Sequence, residues 1–385
     1  MKTLKQGEVK QEDFLTEIPF YYQNNTIIIE VQIDGRNYNF IFDTGNDLTS
    51  IDDGLMSEIS VKSNNHSQKV SDAQKNKLVT EFVSIESLSI AGVEFTNIGA
   101  QVFDHSPFEQ VWGCGQSVSG IIGNNLMRKA KWQIDYKNRV LRVSDKIDAF
   151  DIQDAVVFET NSGKHGGARI EVALNDVKAK YKFDTGSSGF ISSDLKTFDK
   201  LKTNTQIQST QATVSSFTAS GKNLKVKNYA YIEDIEVNNI QVHNQVIAFS
   251  ENHAKLLGNK FFDNYLVTLD WTNELFYLKP VDEFKNGSLK VYEYTFAPNY
   301  IKNKVVFYNT WNDHRLNQPI DLNSDILSIN GIELTDLTDE QLCSIWENQS
   351  KDFKTNKVDI EILENGKKRT VTLTKKQLLP QLILE

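Results

Sequence analysis

From Thr26 to about Val143 the chain runs in short β-branched and aromatic stretches, Thr26–Ile33, Tyr38–Phe42 and Leu78–Ile90 among them. Asp34-Gly35 and Ala91-Gly92 break these stretches as turn signals, so they predict strands rather than helices. The same texture returns from Ala168 to Lys279, with Val226–Val237 and Gln241–Phe249 as the clearest strands. Helix is predicted only in short pieces, Asn124–Lys129 and Lys255–Phe262. Residues 61–77 and the stretch Lys202–Lys222 are polar and predict mobile connections, placed where a flap over a cleft would sit.

After Lys279-Pro280 the pattern changes. Asp325–Gly331 reads as a strand ending in an Asn-Gly turn. Thr338-Asp339-Glu340-Gln341 matches a capping box, and Leu342, Ile345 and Trp346 follow at helical spacing. Val358, Ile360 and Ile362 alternate, Asn365-Gly366 turns the chain, and Val371 and Leu373 alternate back. A compact β/α unit of roughly 100 residues is expected there.

The two β-rich stretches are related by an internal duplication. At an offset of 141, Ile29-Glu30-Val31 falls on Ile170-Glu171-Val172, Phe42 on Phe183, and Asp43-Thr44-Gly45 on Asp184-Thr185-Gly186. Further on the offset becomes 135, where Ile121-Ile122-Gly123-Asn124 falls on Leu256-Leu257-Gly258-Asn259 and Ile134-Asp135-Tyr136 on Leu269-Asp270-Trp271. The second copy is six residues shorter between these anchors, as loop variation on one scaffold would produce. Two similar lobes follow, with a third unit behind them: residues 1–148, 149–286 and 287–385.

Composition narrows the function. A net charge of −9 with 24% charged residues offers no basic patch of the kind nucleic acid requires. No apolar run approaches 18 residues, so no transmembrane segment is expected. The six histidines lack ligand spacing, so no metal and no cofactor is expected. The two cysteines, Cys114 and Cys343, fall in different expected domains and are read as free thiols. The first residues, Met1 to Glu8, lack the apolar core of an export signal.

Each Asp-Thr-Gly triplet ends an apolar strand. Two carboxylates brought face to face cannot both stay ionised, so one holds a proton and the other is charged. The charged one can act as general base on a water, and the protonated one can hydrogen-bond a peptide carbonyl as it becomes an oxyanion. Gly45 and Gly186 permit close approach of the loops. The hydroxyls of Thr44 and Thr185 can bond across to the opposite loop.

On these residues both halves resemble the aspartic peptidases, and the bacterial retropepsin-like branch more than pepsin. The resemblance covers about residues 20–280 and rests on the two triplets and on the later apolar-apolar-Gly elements ending at Gly123 and Gly258. It implies a mainly β, two-lobed double β-barrel with Asp43 and Asp184 as the catalytic dyad. Thr44, Gly45, Asn46, Thr185, Gly186 and Ser187 would support the catalytic loops, and Gly123 and Gly258 would be the structural glycines that thread them. The substrate would be a polypeptide, and dimerisation would not be needed, because both aspartates lie in one chain. Bacterial proteins of this resemblance often work outside the cytoplasm, which implies a periplasmic or envelope-anchored setting.

Two departures stand out. Asn46 replaces the small hydroxyl residue usual after the glycine, and no tyrosine occurs between Gly54 and Trp112 to serve as a pepsin-style flap tyrosine. These favour the rival reading, a catalytically silent peptide-binding or regulatory protein that keeps the cleft. Retention of both complete triplets favours the enzyme. Asp135 and Asp270 also recur, but an aspartate after an apolar strand is more often a turn residue. The C-terminal unit resembles a PDZ domain, with Tyr294–Ala297 standing for the carboxylate-binding loop. Its peptide groove would be formed by Phe296, Lys304, Val305, Val306 and Phe307, and a peptide ligand would be its partner.

Overall fold

The computed structural model describes residues 5–71, 77–105, 117–160, 167–218, 221–281, 290–294, 296–301, 304–312, 320–321, 324–349 and 355–380. Strands dominate, in one 14-stranded and one nine-stranded sheet, with two small sheets in the C-terminal part.

The strand Arg36–Phe42 leads into the first Asp-Thr-Gly loop. It pairs antiparallel with Thr26–Ile33 and parallel with Gly120–Ile122, so that Phe42 stands opposite Ile122. Gly120–Ile122 also pairs antiparallel with Thr49–Asp52, the strand that leaves the loop. In the second half Val177–Phe183 pairs antiparallel with Arg169–Leu174 and parallel with Leu256–Leu257, which also pairs antiparallel with Ile191–Asp194. In each half the apolar-apolar-Gly element therefore threads between the strand entering its loop and the strand leaving it.

The halves meet in a shared sheet. Lys131–Asp135 of the first half pairs antiparallel with Tyr265–Asp270 of the second, Trp132 opposite Leu269 and Gln133 opposite Thr268. Beneath each Asp-Thr-Gly loop lies an aromatic anchor. Phe42 packs 5.2 Å from Trp132, and Phe183 stacks 3.8 Å from Phe262 and meets Phe276 edge-on at 5.0 Å. All five are fully buried, and burying a phenylalanine contributes about 1.5–3 kcal/mol. The residue before each aspartate is thus held from below.

The structure departs from expectation in three ways. Residues 61–71 form a strand, paired with Lys77–Ile90, rather than a mobile connection. Ser209–Thr218 likewise pairs with the long strand Gly221–Val237. Backbone cross-strand bonds define these hairpins, and such bonds leave no trace in side-chain polarity. Residues 72–76 and 219–220 lie outside the described residues.

The second difference is a helix, Leu195–Asn204, where none was expected. The Asp194 carboxylate caps it by accepting from Thr197 N–H at 3.0 Å, and Phe198 and Leu201 are its buried face. The third is the segment from Lys255, which begins as the strand Leu256–Leu257 and turns helical only at Asn259–Phe262.

In the C-terminal part the helix Asp339–Gln349 carries the expected capping box. Gln341 N–H donates to Thr338 Oγ1 at 3.3 Å, and Thr338 N–H donates to Gln341 Oε1 at 2.9 Å. Asn330-Gly331 and Asn365-Gly366 both have positive φ, as tight hairpin turns require. This part has its own apolar cluster, which includes Phe296, Phe307, Ile329, Leu342, Ile360 and Leu373. It is also joined to the second half. Lys304–Trp311 pairs antiparallel with Ser209–Thr218, Trp311 opposite Ala212 and Asn309 opposite Val214. Ala212, Val214, Val291, Trp311, Leu378 and Leu379 form a small core across that junction. The expected boundary at 286/287 lies outside the described residues.

Cys343 is disulfide-bonded, contrary to the expectation of free thiols. Cys114, the chain's other cysteine, lies outside the described residues, as does Trp112. Among the described residues no helix is long and apolar enough to cross a membrane.

Candidate active site

The two Asp-Thr-Gly loops meet and bond reciprocally. Thr44 N–H donates to Thr185 Oγ1 at 3.0 Å, and Thr185 N–H donates to Thr44 Oγ1 at 3.0 Å. Each hydroxyl then donates onward to the strand of the other half, Thr44 to Phe183 O and Thr185 to Phe42 O, both at 2.8 Å. Both threonines are fully buried, so all four bonds lie out of water, where a missing partner would be costly.

The glycines set how closely the aspartates approach. A Cβ on Gly45 would fall under 3.0 Å from the Asp184 carboxyl, and one on Gly186 would do the same to Asp43. Each glycine thus covers the carboxyl of the opposite loop. Each aspartate is also held by its own loop: Gly45 N–H donates to Asp43 Oδ1 at 2.6 Å, and Gly186 N–H to Asp184 Oδ1 at 3.0 Å.

Burial raises the pKa of both carboxyls above the ordinary carboxylate value. Asp184 is pushed up to about 8, by burial first and by the charge of Asp43 second. Lys182 works against burial on both groups, and the hydrogen bonds to Asp43 also lower its value. Two carboxyls raised in this way do not both ionise readily, so the pair holds a proton to higher pH than an isolated carboxyl would.

Behind the carboxyls the loops are built alike. Asn46 N–H donates to Asp43 O and Ser187 N–H to Asp184 O, at 3.2 and 3.1 Å. Asn46 O and Ser187 O each accept the next bond, from Asn124 N–H and Asn259 N–H, both at 2.8 Å. Asn46 therefore takes the same backbone part as Ser187. Gly123 and Gly258 lie against these segments: a Cβ would stand 2.6 Å from the Leu48 carbonyl carbon in one case and 2.6 Å from Ser187 O in the other.

Sequence reasoning missed the side chains of Asn124 and Asn259. Their amides donate to Thr44 O at 2.9 Å and Thr185 O at 2.5 Å, adding a side-chain bond to each loop. The signal was present, because the two asparagines coincide at the offset of 135. It also missed Lys182, which has no counterpart charge in the first half, where Ile41 stands.

Other candidates fall elsewhere. Asp135 caps its own turn, accepting from Asn138 N–H at 3.0 Å, and Asp270 does so from Thr272 and Asn273 N–H at 3.1 and 3.2 Å. Asp52, Asp53 and Asp104 bring three carboxylates within 4.8 Å of one another, yet Asp52 already accepts from Gly54 and His105 N–H. Of the five residues expected to line a peptide groove, Phe296, Val305 and Phe307 are buried in the C-terminal core, Val306 is half-buried and Lys304 is exposed.

A family model for aspartyl proteases matches residues 29–126, which span the first Asp-Thr-Gly loop and the element ending at Gly123. The match supports a peptidase, a hydrolase acting on peptide bonds. No curated protein matches the chain.

Proposed function

We propose that the chain is a single-chain aspartic endopeptidase in which Asp43 and Asp184 form the catalytic dyad of a duplicated, two-lobed barrel. The observation that carries this reading is the reciprocal bonding of Thr44 and Thr185, which seats each glycine against the opposite carboxyl. Both aspartates come from one chain, so a second copy is not required for the site.

In the proposed division of charge Asp43 is the base and Asp184 holds the proton. Asp43, ionised, takes a proton from a water as that water attacks the peptide carbonyl carbon. Asp184 gives its proton to the carbonyl oxygen, so the tetrahedral intermediate forms without a free oxyanion. On collapse the C–N bond breaks, Asp43 returns its proton to the leaving nitrogen, and a hydroxyl proton goes back to Asp184. The proton count closes, and no covalent intermediate forms.

The C-terminal part is proposed to be a PDZ-like module that captures an extended peptide or partner segment at the Lys304–Phe307 strand. An extracytoplasmic setting, periplasmic or envelope-anchored, is proposed from the resemblance in sequence. The decisive experiment incubates the protein with a diverse peptide library at several pH values, reads cleavage by mass spectrometry and uses pepstatin as control. Cleavage that disappears in both Asp43→Asn and Asp184→Asn is the expected result. Near-wild-type turnover by either variant would overturn the dyad, and pepstatin binding without turnover would favour a silent binding protein.

A further inference from the structure

In the duplicated frame Ile28, Ile41 and Ile121 of the first half fall on Arg169, Lys182 and Leu256 of the second. The first-half residues form an apolar cluster with Val118. The second half breaks this symmetry with a cation two residues before Asp184. On Val177–Phe183, Tyr181 and Phe183 face the core, so Lys182 lies on the opposite side of the strand, half-buried. Its ammonium crosses to the first loop, donating to Gly45 O at 2.5 Å and pairing with Asp47 Oδ1 at 2.9 Å. Gly167 leaves room for the stem, since a Cβ there would fall under 3.0 Å from Lys182 Cε.

We infer that Lys182 is a positioning residue of the dyad: it ties the first Asp-Thr-Gly loop to the second half and supplies the positive charge that keeps the carboxyl pair singly protonated. The inference rests on the dyad reading above. Gly45 is the residue that covers Asp184, and its N–H holds Asp43, so a bond to Gly45 O fixes the element between the two acids. Burial by itself drives both carboxyls towards the neutral form. A doubly protonated pair has no base, so a nearby fixed cation extends the useful singly charged state to lower pH.

The other charged groups around Lys182 do not replace it. Arg169, opposite on the neighbouring strand, is exposed. Lys255 accepts the Lys182 N–H through its carbonyl, but its ammonium pairs with Asp194. Arg128, on the first-half side, is in the field of Asp47 and Glu274. Asp47 is the anion that faces Lys182 directly.

The test follows the dyad by carbon-13 carboxyl NMR of Asp-labelled full-length protein between pH 3 and 10, alongside the pH–rate profile on a cleaved peptide. Lys182→Met removes charge and bonds, Lys182→Gln removes charge but keeps an N–H donor, and Lys182→Arg keeps the charge. Met and Gln should both move the pair's titration upward by about one unit and carry the acid limb of the rate profile with it. Arg should hold the titration near wild type. If Met fails to fold, Gln decides. Unshifted titration in the folded neutral variants overturns the inference while leaving the dyad intact. Two independent titrations near pH 4 in the wild type would overturn the dyad reading and this inference together.

Discussion

Gly45 lies against Asp184 so closely that no side chain fits between them: a Cβ there would come under 3.0 Å from the carboxyl. The obstacle is the end of a movable side chain, not backbone. Gly45→Ala and Gly186→Ala should therefore fold while displacing the opposite carboxyl, lowering kcat/KM by about 100-fold or more. Gly123→Ala and Gly258→Ala meet backbone instead, at 2.6 Å and 2.5 Å, and should lose stability first. Thermal melts beside kinetics separate the two classes. A Gly45→Ala protein with full activity would contradict the close approach.

The pH dependence has a definite sign. On the proposed dyad, turnover needs one carboxyl ionised and the other protonated. The acid limb should lie above the ordinary carboxylate value of 3.8, and the alkaline limb near about 8. Stability obeys the same pair. Asp184 binds its proton more tightly folded than unfolded, so stability is fully present below its unfolded value of 3.8 and is lost as pH rises towards about 8. Asp184→Asn removes that titration. Its melting temperature should rise relative to wild type as pH goes from 4 to 8, and a constant difference would count against the buried proton.

The threonine lattice should behave as a unit. Thr44→Val leaves Phe183 O and Thr185 N–H without their partner in a buried site. The expected cost is about 2–4 kcal/mol, with a similar figure for Thr185→Val. Either change should abolish cleavage, because the loops lose their register. Thr44→Ser keeps the hydroxyl and should retain most stability. Denaturant unfolding of the three variants is the check.

Trp311 is the C-terminal residue to test at the junction. It packs 4.8 Å from Tyr229 and lies in the small core with Ala212 and Val214. Trp311→Ala should cost about 3–5 kcal/mol locally and speed amide exchange in Ser209–Thr218 and Gly221–Val237. Truncation near Phe284 should loosen the same hairpin. Unchanged exchange in both would show that the hairpin is stable without its C-terminal strand.

How far the sequence reached depends on which interactions repeat along the chain. The aspartates, the threonines and the threading glycines are legible because Asp-Thr-Gly and the apolar-apolar-Gly element recur at offsets of 141 and 135. Phe42 and Phe183 are legible as the apolar residue before each loop, since burying an aromatic is a local requirement written in residue type. The capping box at Thr338 and Gln341 is equally local, formed within one helical turn. The Leu195–Asn204 helix was missed although Asp194, Thr197, Phe198 and Leu201 carry its signal, because one capped turn among strands has little pattern around it.

Lys182 bonding to Gly45 and Asp47 belongs to tertiary structure alone: the partners are 137 and 135 residues apart, and the lysine departs from the repeat instead of following it. The pairing of Lys304–Trp311 with Ser209–Thr218 is of the same kind. Strand edges recognise one another through backbone N–H and C=O groups, which every sequence carries. Residue identity determined which groups this protein brings to its centre. Only the folded arrangement decided how far each carboxyl is removed from water and which distant cation stands beside them.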